Sequence, residues 1–389
     1  MLDFLRKLGN TQIGGSKRFR YTCPYCFDGF NKYKFQCINK RCPGGGSFVF
    51  DVAKMTDGGR KAECPKCHQP SFKRVCPFCE NDLPESTLDG QNCIISIVGS
   101  RSSGKSHFIG VIIHELIKRI APQINNGSFE GFGDSLERYK KVFENNLYQA
   151  CQQLELTRSG INNVNVSLPY IFNYKFRSEK DKKIKCYTFV FFDTAGEDLN
   201  DIGTMSTVNK YICKSSGIIF LLDPMGIPGL VSKLDSGWVL RASGGGVIGT
   251  SADDIITRVS QLIRSEQGLS ETDKIKIPVA AVFSKYDAFE SIIPEELTTI
   301  KNPSPHCKEG RFIDADAKAV DSEIRALLNE WGANAFTSQL ENNYEKYSYF
   351  TVSSLGLNNN PSSGRIKEPH PHRIEDPMLW LMSIGGKLQ

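Results

Sequence analysis

The residues with the clearest chemical potential lie at positions 99–106, which read Gly-Ser-Arg-Ser-Ser-Gly-Lys-Ser. This G-x-x-x-x-G-K-S pattern follows an apolar run at 93–98 and precedes a stretch with helical apolar periodicity. Glycines in such a turn let several backbone N–H groups face a diphosphate, and the following helix N-terminus adds a partial positive charge. The pattern predicts a nucleotide phosphate site between a strand and a helix.

Two residues of this turn have specific predicted roles. Lys105 would reach the β- and γ-phosphates, and it counts as a catalytic as well as a binding residue. Ser106 would ligate Mg²⁺. The other nucleotide-binding residues predicted in this segment are Gly99, Ser102, Ser103, Gly104 and His107.

A second motif, Asp-Thr-Ala-Gly at 193–196, follows a strand-like run at 187–192. An acidic residue at a strand end beside a phosphate-binding turn typically holds Mg²⁺, so Asp193 is a predicted magnesium ligand. Gly196 would let its backbone N–H approach a γ-phosphate. The alternative interpretation is an ordinary polar turn that ends a strand.

Two further motifs, Ser-Lys-Tyr-Asp at 284–287 and Ser-Ser-Leu at 353–355, complete an ordered set. With the preceding two motifs, they resemble the guanine-nucleotide boxes of Ras-like and translation-factor-like GTPases. The resemblance implies that Asp287 accepts hydrogen bonds from guanine N1–H and the 2-amino group, which adenine cannot supply. The alternative is an ATPase in which Asp287 is a surface turn residue.

The resemblance implies roles for the neighbours of Asp287 as well. Lys285 would lay its aliphatic stem over the purine ring, and Ser284 stands where these families usually have Asn or Thr. Ser353 and Ser354 resemble the short box whose backbone contacts guanine O6, although Ser354 and the leucine after it differ from the common Ala-Lys pair.

The catalytic residues are harder to place, because Asp193 lies 88 residues after Lys105, farther than in a minimal Ras-like domain. Thr157 is the only threonine between Ser106 and residue 168, so it is the candidate switch threonine and a further Mg²⁺ ligand. It could equally end a helix on the surface. Glu197 stands where Ras-like proteins place the glutamine that orients water, which predicts slow hydrolysis accelerated by a partner or by self-association.

Eight of the 13 cysteines lie between residues 23 and 79, in a pattern typical of metal binding by reduced thiols. Grouped in sequence order they predict two structural tetrahedral sites, with zinc or rubredoxin-like iron as the ion. The first predicted group is Cys23, Cys26, Cys37 and Cys42, and the second is Cys64, Cys67, Cys76 and Cys79.

The same region carries an excess of positive charge, because residues 1–90 contain 15 Lys and Arg against 9 Asp and Glu. A basic region interleaved with aromatic residues would suit nucleic acid. Metal-bound thiolates would lower this charge, however, and aromatic residues are also ordinary in the strands of a small sheet. We therefore favour a protein partner and keep nucleic acid as the alternative.

The elements that must position these residues divide near residue 90. Residues 1–90 are expected to form two four-cysteine zinc ribbons, and residues 91–389 an α/β P-loop GTPase domain whose mostly parallel sheet has helices on both faces. Insertions are expected at about 125–160 and 225–250, the second as a Gly-rich loop. Strands are predicted at 93–98, 168–177, 185–192, 216–223, 278–284 and 347–353, and helices at 106–120, 134–154, 253–265, 314–340 and 376–383.

These features predict a GTP-hydrolysing switch or assembly factor that uses Mg²⁺ and GTP. Its zinc ribbons or switch segments would contact a protein partner that recognises the GTP state. The architecture also resembles bacterial double-GTPase families, inferred to act in conflict or defence systems. The alternatives are a GTP-binding scaffold with little hydrolysis and a nucleic-acid-stimulated NTPase. Without a long apolar run or an apolar leader, the expected location is cytoplasmic, with no membrane partner.

Overall fold

The computed structural model describes residues 20–51, 59–89, 91–100, 103–154, 168–178, 182–193, 210–234, 252–356 and 366–386. Residues 20–89, with the gap at 52–58, are called the Cys-rich region below. It consists of short strands and one short helix: β1 (Tyr21–Thr22), β2 (Gly29–Phe30), β3 (Lys34–Gln36), β4 (Val49–Phe50), β5 (Ala62–Glu63), β6 (Pro70–Ser71), β7 (Lys73–Val75) and α1 (Glu85–Leu88).

The rest of the described chain is built on a seven-stranded sheet. Its strands are β8 (Asn92–Gly99), β9 (Ser128–Gly131), β10 (Tyr170–Arg177), β11 (Ile184–Phe191), β12 (Gly217–Leu222), β13 (Val279–Phe283) and β14 (Tyr347–Thr351). They are ordered β14-β13-β12-β8-β11-β10-β9 across the sheet, and β10 runs in the opposite direction to the other six. The predicted mixed α/β architecture with a mostly parallel sheet is confirmed.

The central strands are buried throughout, as a parallel sheet with both faces covered requires. Every residue of β12 and β13 is buried, and β8 is buried beyond its first residue. This explains why the strands appear in the sequence as continuous apolar runs rather than alternating ones. The predicted hairpin is also confirmed, since β10 and β11 pair along their full length from Tyr170 with Phe191 to Arg177 with Ile184.

Helices join and cover these strands. They are α2 (Lys105–Glu115), α3 (Ser135–Tyr139), α4 (Pro228–Val231), α5 (Ala252–Gln267), α6 (Tyr286–Phe289), α7 (Asp314–Glu330), α8 (Asn334–Asn343) and α9 (Asp376–Ile384). α2 continues as a π-helical turn at Leu116–Ile120 and a last α-helical turn at Ala121–Gln123, and α3 continues as a π-helical segment at Lys140–Gln149. Among the described residues, no helix has both the length and the apolar character to cross a lipid bilayer.

Two sequence predictions differ from the structure here. The single helix expected at 314–340 is two helices, α7 and α8, because the chain turns at Gly332, whose φ of 71° suits glycine. The insertion expected at about 125–160 contributes a strand as well as a helix, because β9 pairs with the outer edge of β10. Most of the Gly-rich loop expected at 225–250, residues 235–250, lies outside the described residues, and its described start contains the short helix α4 instead of a loop.

Candidate functional site

The candidate nucleotide site lies at the carboxyl edge of the sheet, where the strand order reverses around β8. β11 lies on one side of β8 and β12 on the other, and all three run parallel. In open α/β sheets, ligands bind in the crevice outside the strand ends at such a switch point. The turn after β8 therefore occupies the position where ligand binding is expected from topology alone.

Glycines stand at both ends of this turn, at Gly99 and Gly104. A Cβ on Gly99 would lie 2.3 Å from the Leu221 carbonyl oxygen of β12, so only glycine allows the two strands to approach this closely. Gly104 has a φ of 86°, a left-handed conformation that leads directly into α2. The described backbone therefore leads into the helix at Gly104, while residues 101 and 102 of the turn lie outside the described residues.

Lys105 and Ser103 are buried against this turn. The Lys105 ammonium donates hydrogen bonds to the carbonyl oxygens of Gly99 (2.8 Å) and Ser100 (3.1 Å), which hold it over the turn. The Ser103 hydroxyl has no hydrogen-bond partner among the described residues. Such an orphaned buried hydroxyl is costly unless a ligand satisfies it, so this cradle fits an oxyanion.

Ser106 and Asp193 meet across the sheet edge although they are far apart in sequence. The Ser106 hydroxyl donates to Oδ1 of Asp193 at 3.2 Å, and Asp193 lies two residues beyond the end of β11. A hydroxyl and a carboxylate are oxygen ligands of the kind that Mg²⁺ prefers, so this pair could hold the ion.

The third motif follows β13 in a constrained conformation. Lys285 adopts a left-handed φ of 55°, and its ammonium forms an ion pair with Oδ2 of Asp223 at 2.7 Å, at the end of β12. The Ser284 hydroxyl donates to the Leu222 carbonyl oxygen at 3.0 Å. These contacts join the ends of β12 and β13, and the ion pair is a feature that the sequence motifs did not indicate.

Asp287 is joined in the same way to the segment after β14. The Ser353 hydroxyl donates to Oδ1 of Asp287 at 2.6 Å and accepts the Gly356 N–H at 2.9 Å. Burial raises the pKa of Asp287, and the Ser353 hydrogen bond opposes that shift. Ser354 is half-buried beside this pair in the chain. The third and fourth motifs therefore form one structural unit.

His107 makes a contact with the protein backbone. Its Nε2 accepts the Leu154 N–H at 3.4 Å, which links α2 to the end of the segment that follows α3. Burial lowers the pKa of His107 to about 4, with the positive charge of Lys285 adding to the effect, so the imidazole is neutral near pH 7. Four other predicted site residues, Ser102, Thr157, Gly196 and Glu197, lie outside the described residues.

The eight N-terminal cysteines form two four-sulfur clusters, but their grouping differs from the sequence prediction. The proximal cluster contains Cys23, Cys26, Cys76 and Cys79, and the distal cluster contains Cys37, Cys42, Cys64 and Cys67. Grouping in sequence order was wrong because β6 and β7 lie between Cys67 and Cys76 and place these two cysteines in different clusters. Since β3 pairs antiparallel with β7, all four distal cysteines lie in sequence between the first and the second pair of proximal cysteines.

The sulfur geometry fits a tetrahedral ion. Sulfurs about 2.3 Å from a central zinc are separated by about 3.8 Å along each tetrahedral edge. The Sγ–Sγ distances are 3.7 Å for Cys23 and Cys79, and 3.8 Å for Cys26 and Cys76. In the distal cluster, Cys37 and Cys67 are 3.6 Å apart. Since a disulfide would need about 2 Å, the two clusters could each hold a zinc ion.

Sequence reasoning missed a third group of possible ligands, formed by His306, Asp316 and Asp376. Nδ1 of His306 accepts the Ile313 N–H at 3.2 Å, so the proton of the neutral ring lies on Nε2, the atom that faces the aspartates. A metal-binding histidine normally presents a lone pair to the ion and a proton to its other partner. Arg373 already pairs with both aspartates, so this group is an internal polar cluster.

The described residues thus define a mixed α/β protein with two four-cysteine clusters. No family model matches the chain. A protein of Mycolicibacterium smegmatis (strain ATCC 700084 / mc(2)155) named "Putative ESX-1 scaffolding and assembly protein SaeC" is similar to it, with 20% identity over 403 residues that cover 94% of this chain and 99% of that protein.

One solved structure, the crystal structure of bacterial selenocysteine-specific elongation factor EF-Sec, aligns with 75% of this chain at 12% identity. Its TM-score is 0.23, and this chain spans 28% of the length of that chain. A likeness of this strength carries no argument about activity, so function must be inferred from the site itself.

Proposed function

We propose that this chain binds GTP with Mg²⁺ at the carboxyl edge of its sheet and acts as a hydrolysing switch or assembly factor. The strongest support is that four motifs far apart in the sequence lie at the same edge of the sheet. Four motifs spread over residues 99–355 follow β8, β11, β13 and β14, whose carboxyl ends share one edge. A chance G-x-x-x-x-G-K-S match would not bring the other three motifs to the same edge.

At the phosphate end, Lys105 neutralises phosphate charge and the Ser103 hydroxyl donates to a phosphate oxygen. Ser106 and Asp193 hold Mg²⁺, which supplies positive charge to the phosphates when it is bound. Thr157 and Glu197 keep their proposed roles as switch threonine and water-positioning residue, with slow intrinsic hydrolysis as the consequence.

At the base end, Asp287 selects guanine because its carboxylate can only accept hydrogen bonds when it is ionised. Ser353 fixes one carboxylate oxygen by donating to it, which orients the group and favours its ionised form. Lys285 is held beside this position by its ion pair with Asp223, so the aliphatic stem is ordered before a base arrives.

The two four-cysteine clusters are structural zinc sites in this proposal, because four thiolates leave no open coordination position. The Cys-rich region, divided from the nucleotide-binding domain near residue 90, contacts a protein partner. The name of the M. smegmatis relative supports assembly of protein complexes as the process. It also favours the second candidate, a GTP-binding scaffold that hydrolyses little.

Base recognition provides the sharpest test. Asp287→Asn should lose GTP affinity by at least tenfold and gain affinity for xanthosine triphosphate, because the amide NH₂ can donate to the xanthine 2-oxo group. Binding is measured by competition with a fluorescent nucleotide, using wild type with GTP, ATP and xanthosine triphosphate. A wild-type protein that binds ATP as tightly as GTP, or binds neither, would contradict the proposal.

Substitution of Lys105 tests the phosphate end of the site. Lys105→Ala should lower GTP affinity by about 100-fold, which corresponds to losing a buried charge–phosphate contact of about 3 kcal/mol. Lys118→Ala, at an exposed lysine on the same continuous helix, should leave affinity unchanged.

Single-turnover hydrolysis of GTP by wild type separates the switch from the scaffold. Formation of GDP supports the switch, whereas tight GTP binding without GDP formation favours the scaffold.

A further inference from the structure

Three of the four cysteine pairs form the same backbone knuckle, which makes their differences informative. In each, the residue after the second cysteine is left-handed: Phe27 has a φ of 58°, His68 of 59° and Glu80 of 56°. Each also donates its N–H to the carbonyl oxygen of the first cysteine of its pair. His68 and Glu80 are exposed, as expected for this position, but Phe27 is completely buried.

The Phe27 ring enters the core of the α/β part of the chain. It lies 6.0 Å from the ring of Phe192 and 5.2 Å from that of Tyr211, measured between centroids, and these two rings are 5.3 Å apart. The Tyr211 hydroxyl accepts the Phe192 N–H at 3.3 Å and donates to the Ile95 carbonyl oxygen of β8. Phe27 is therefore the third member of an aromatic group that is tied to the central strand.

The position of this group in the chain connects it to the candidate nucleotide site. Phe192 immediately precedes Asp193, and residues 193–210 connect Phe192 to Tyr211 in the chain. The residue after Phe27 adds a second contact, because Asp28 forms an ion pair with Lys210 at 2.6 Å. One knuckle of the proximal cluster therefore contacts both ends of the segment that begins at the predicted magnesium ligand.

The distal cluster has different surroundings. All members of its apolar core lie within residues 33–67, and include Phe35, Phe50 and Ala62. The two clusters therefore have the same ligands but different neighbours, because the knuckle of the proximal cluster contacts the residues beside Asp193.

We propose that metal binding at the proximal cluster and nucleotide binding at the Asp193 edge are thermodynamically coupled through Phe27. The inference rests on the proposed GTP function. The metal holds residues 23–28 in the knuckle, the knuckle keeps Phe27 between Phe192 and Tyr211, and that contact keeps Asp193 in place for Mg²⁺ and nucleotide. Because coupling is reciprocal, bound nucleotide must strengthen metal retention by the same factor as the metal strengthens nucleotide binding.

Zinc release tests the coupling without relying on hydrolysis. The full chain loaded with two zinc equivalents is mixed with a chromogenic chelator, with and without Mg²⁺ and the non-hydrolysable analogue guanosine 5′-(β,γ-imido)triphosphate. At equilibrium, the analogue should raise the chelator concentration needed to remove one zinc equivalent by at least about fivefold, the lower end of typical coupling, and leave the other unchanged. Cys64→Ser, which removes a distal ligand, should keep this shift.

Phe27→Ala should still bind two zinc equivalents but lose the effect of the nucleotide on release, whereas Phe50→Ala in the distal core should keep it. Phe27→Leu, which retains apolar bulk, should keep part of it and covers the case in which the alanine variant misfolds. If wild type binds the analogue in a direct titration but loses both zinc equivalents at unchanged chelator concentrations, the coupling is wrong and the proposed function stands. If wild type binds no guanine nucleotide, both are wrong.

Discussion

The two cysteine clusters have the same four ligands and the same tetrahedral sulfur spacing, yet they stabilise different parts of the molecule. The proximal cluster shares an apolar core with Phe30, Leu83 and Leu88, and its knuckle reaches the aromatic group beside β8. The distal cluster organises a small core limited to residues 33–67. The same set of four cysteine sulfurs can therefore be attached to a large core or to a local one, and the residue next to the cysteines determines which.

The connection between the Cys-rich region and the sheet supports this distinction. The Asn92 side-chain amide, at the start of β8, donates to the Thr22 carbonyl oxygen at 2.8 Å. The Ser86 hydroxyl of α1 hydrogen-bonds with the Thr188 hydroxyl of β11 at 2.5 Å. Both contacts lie on the side of the proximal cluster, so loss of a metal bound there would disturb β8 and β11, two neighbouring interior strands of the main sheet.

The largest expected difference between the clusters follows from removing one cysteine ligand from each. Cys23→Ser should lose the proximal zinc and lower the free energy of unfolding of the sheet by several kcal/mol, because structural zinc contributes about 10–16 kcal/mol to small metal-dependent folds. Cys64→Ser should lose the distal zinc and leave sheet unfolding unchanged. All three tryptophans, residues 238, 331 and 380, lie outside the Cys-rich region, so tryptophan fluorescence during urea unfolding reports on the α/β part.

Metal content, measured on the same samples, must show one equivalent lost in each variant. If both variants shift the urea midpoint equally, the two clusters belong to one cooperative unit and the comparison is wrong.

A smaller effect is expected from truncating one buried phenylalanine at each site. Removal of a buried Phe side chain costs about 3–5 kcal/mol. Phe27→Ala should therefore lower the tryptophan-detected free energy of unfolding by about 3 kcal/mol, because its ring packs against Phe192 and Tyr211. Phe50→Ala should change that value by less than about 0.5 kcal/mol, although both side chains are buried. Equal losses would show that burial alone, rather than the location of the cluster, controls the effect.

The sequence predicted the fold well where local pattern carries the information. Continuous apolar runs identified β8, β12 and β13, because parallel strands buried on both faces must be apolar along their whole length. The same reasoning placed the four nucleotide motifs after strands. It did not find β9, whose four residues, Ser128–Gly131, include one buried side chain and are defined as a strand by pairing with β10.

Long-range pairing was the part that the sequence could not predict. C-x2-C spacing determines that two cysteines can bind one ion, but it does not determine which two pairs share that ion. The pairing of β3 with β7 decides this, and it joins residues about 40 positions apart. The ion pair of Lys285 with Asp223 and the hydrogen bond of Ser353 with Asp287 were missed for the same reason, since their partners are 62 and 66 residues apart.

The smallest expected effect concerns one side-chain contact beside each cluster. Lys210 and Asp28 are 2.6 Å apart with partly exposed side chains, whereas His68 and Glu63 of the distal cluster are 2.8 Å apart and mostly exposed. Asp28→Asn should lower the tryptophan-detected free energy of unfolding by about 0.5 kcal/mol at low salt, a typical value for such pairs. Glu63→Gln should leave it unchanged.

Salt separates the charge effect from packing. In 1 M NaCl the screening length falls to about 3 Å, so the cost of Asp28→Asn should mostly disappear while the cost of Phe27→Ala remains. This ordering follows from the geometry, since Phe27 is enclosed by two rings while Lys210 and Asp28 are partly exposed to solvent. A salt-insensitive loss in Asp28→Asn would instead mean that the Asp28 side chain supports the knuckle backbone directly, and the contact between the proximal cluster and the sheet would then depend on more than the Phe27 ring.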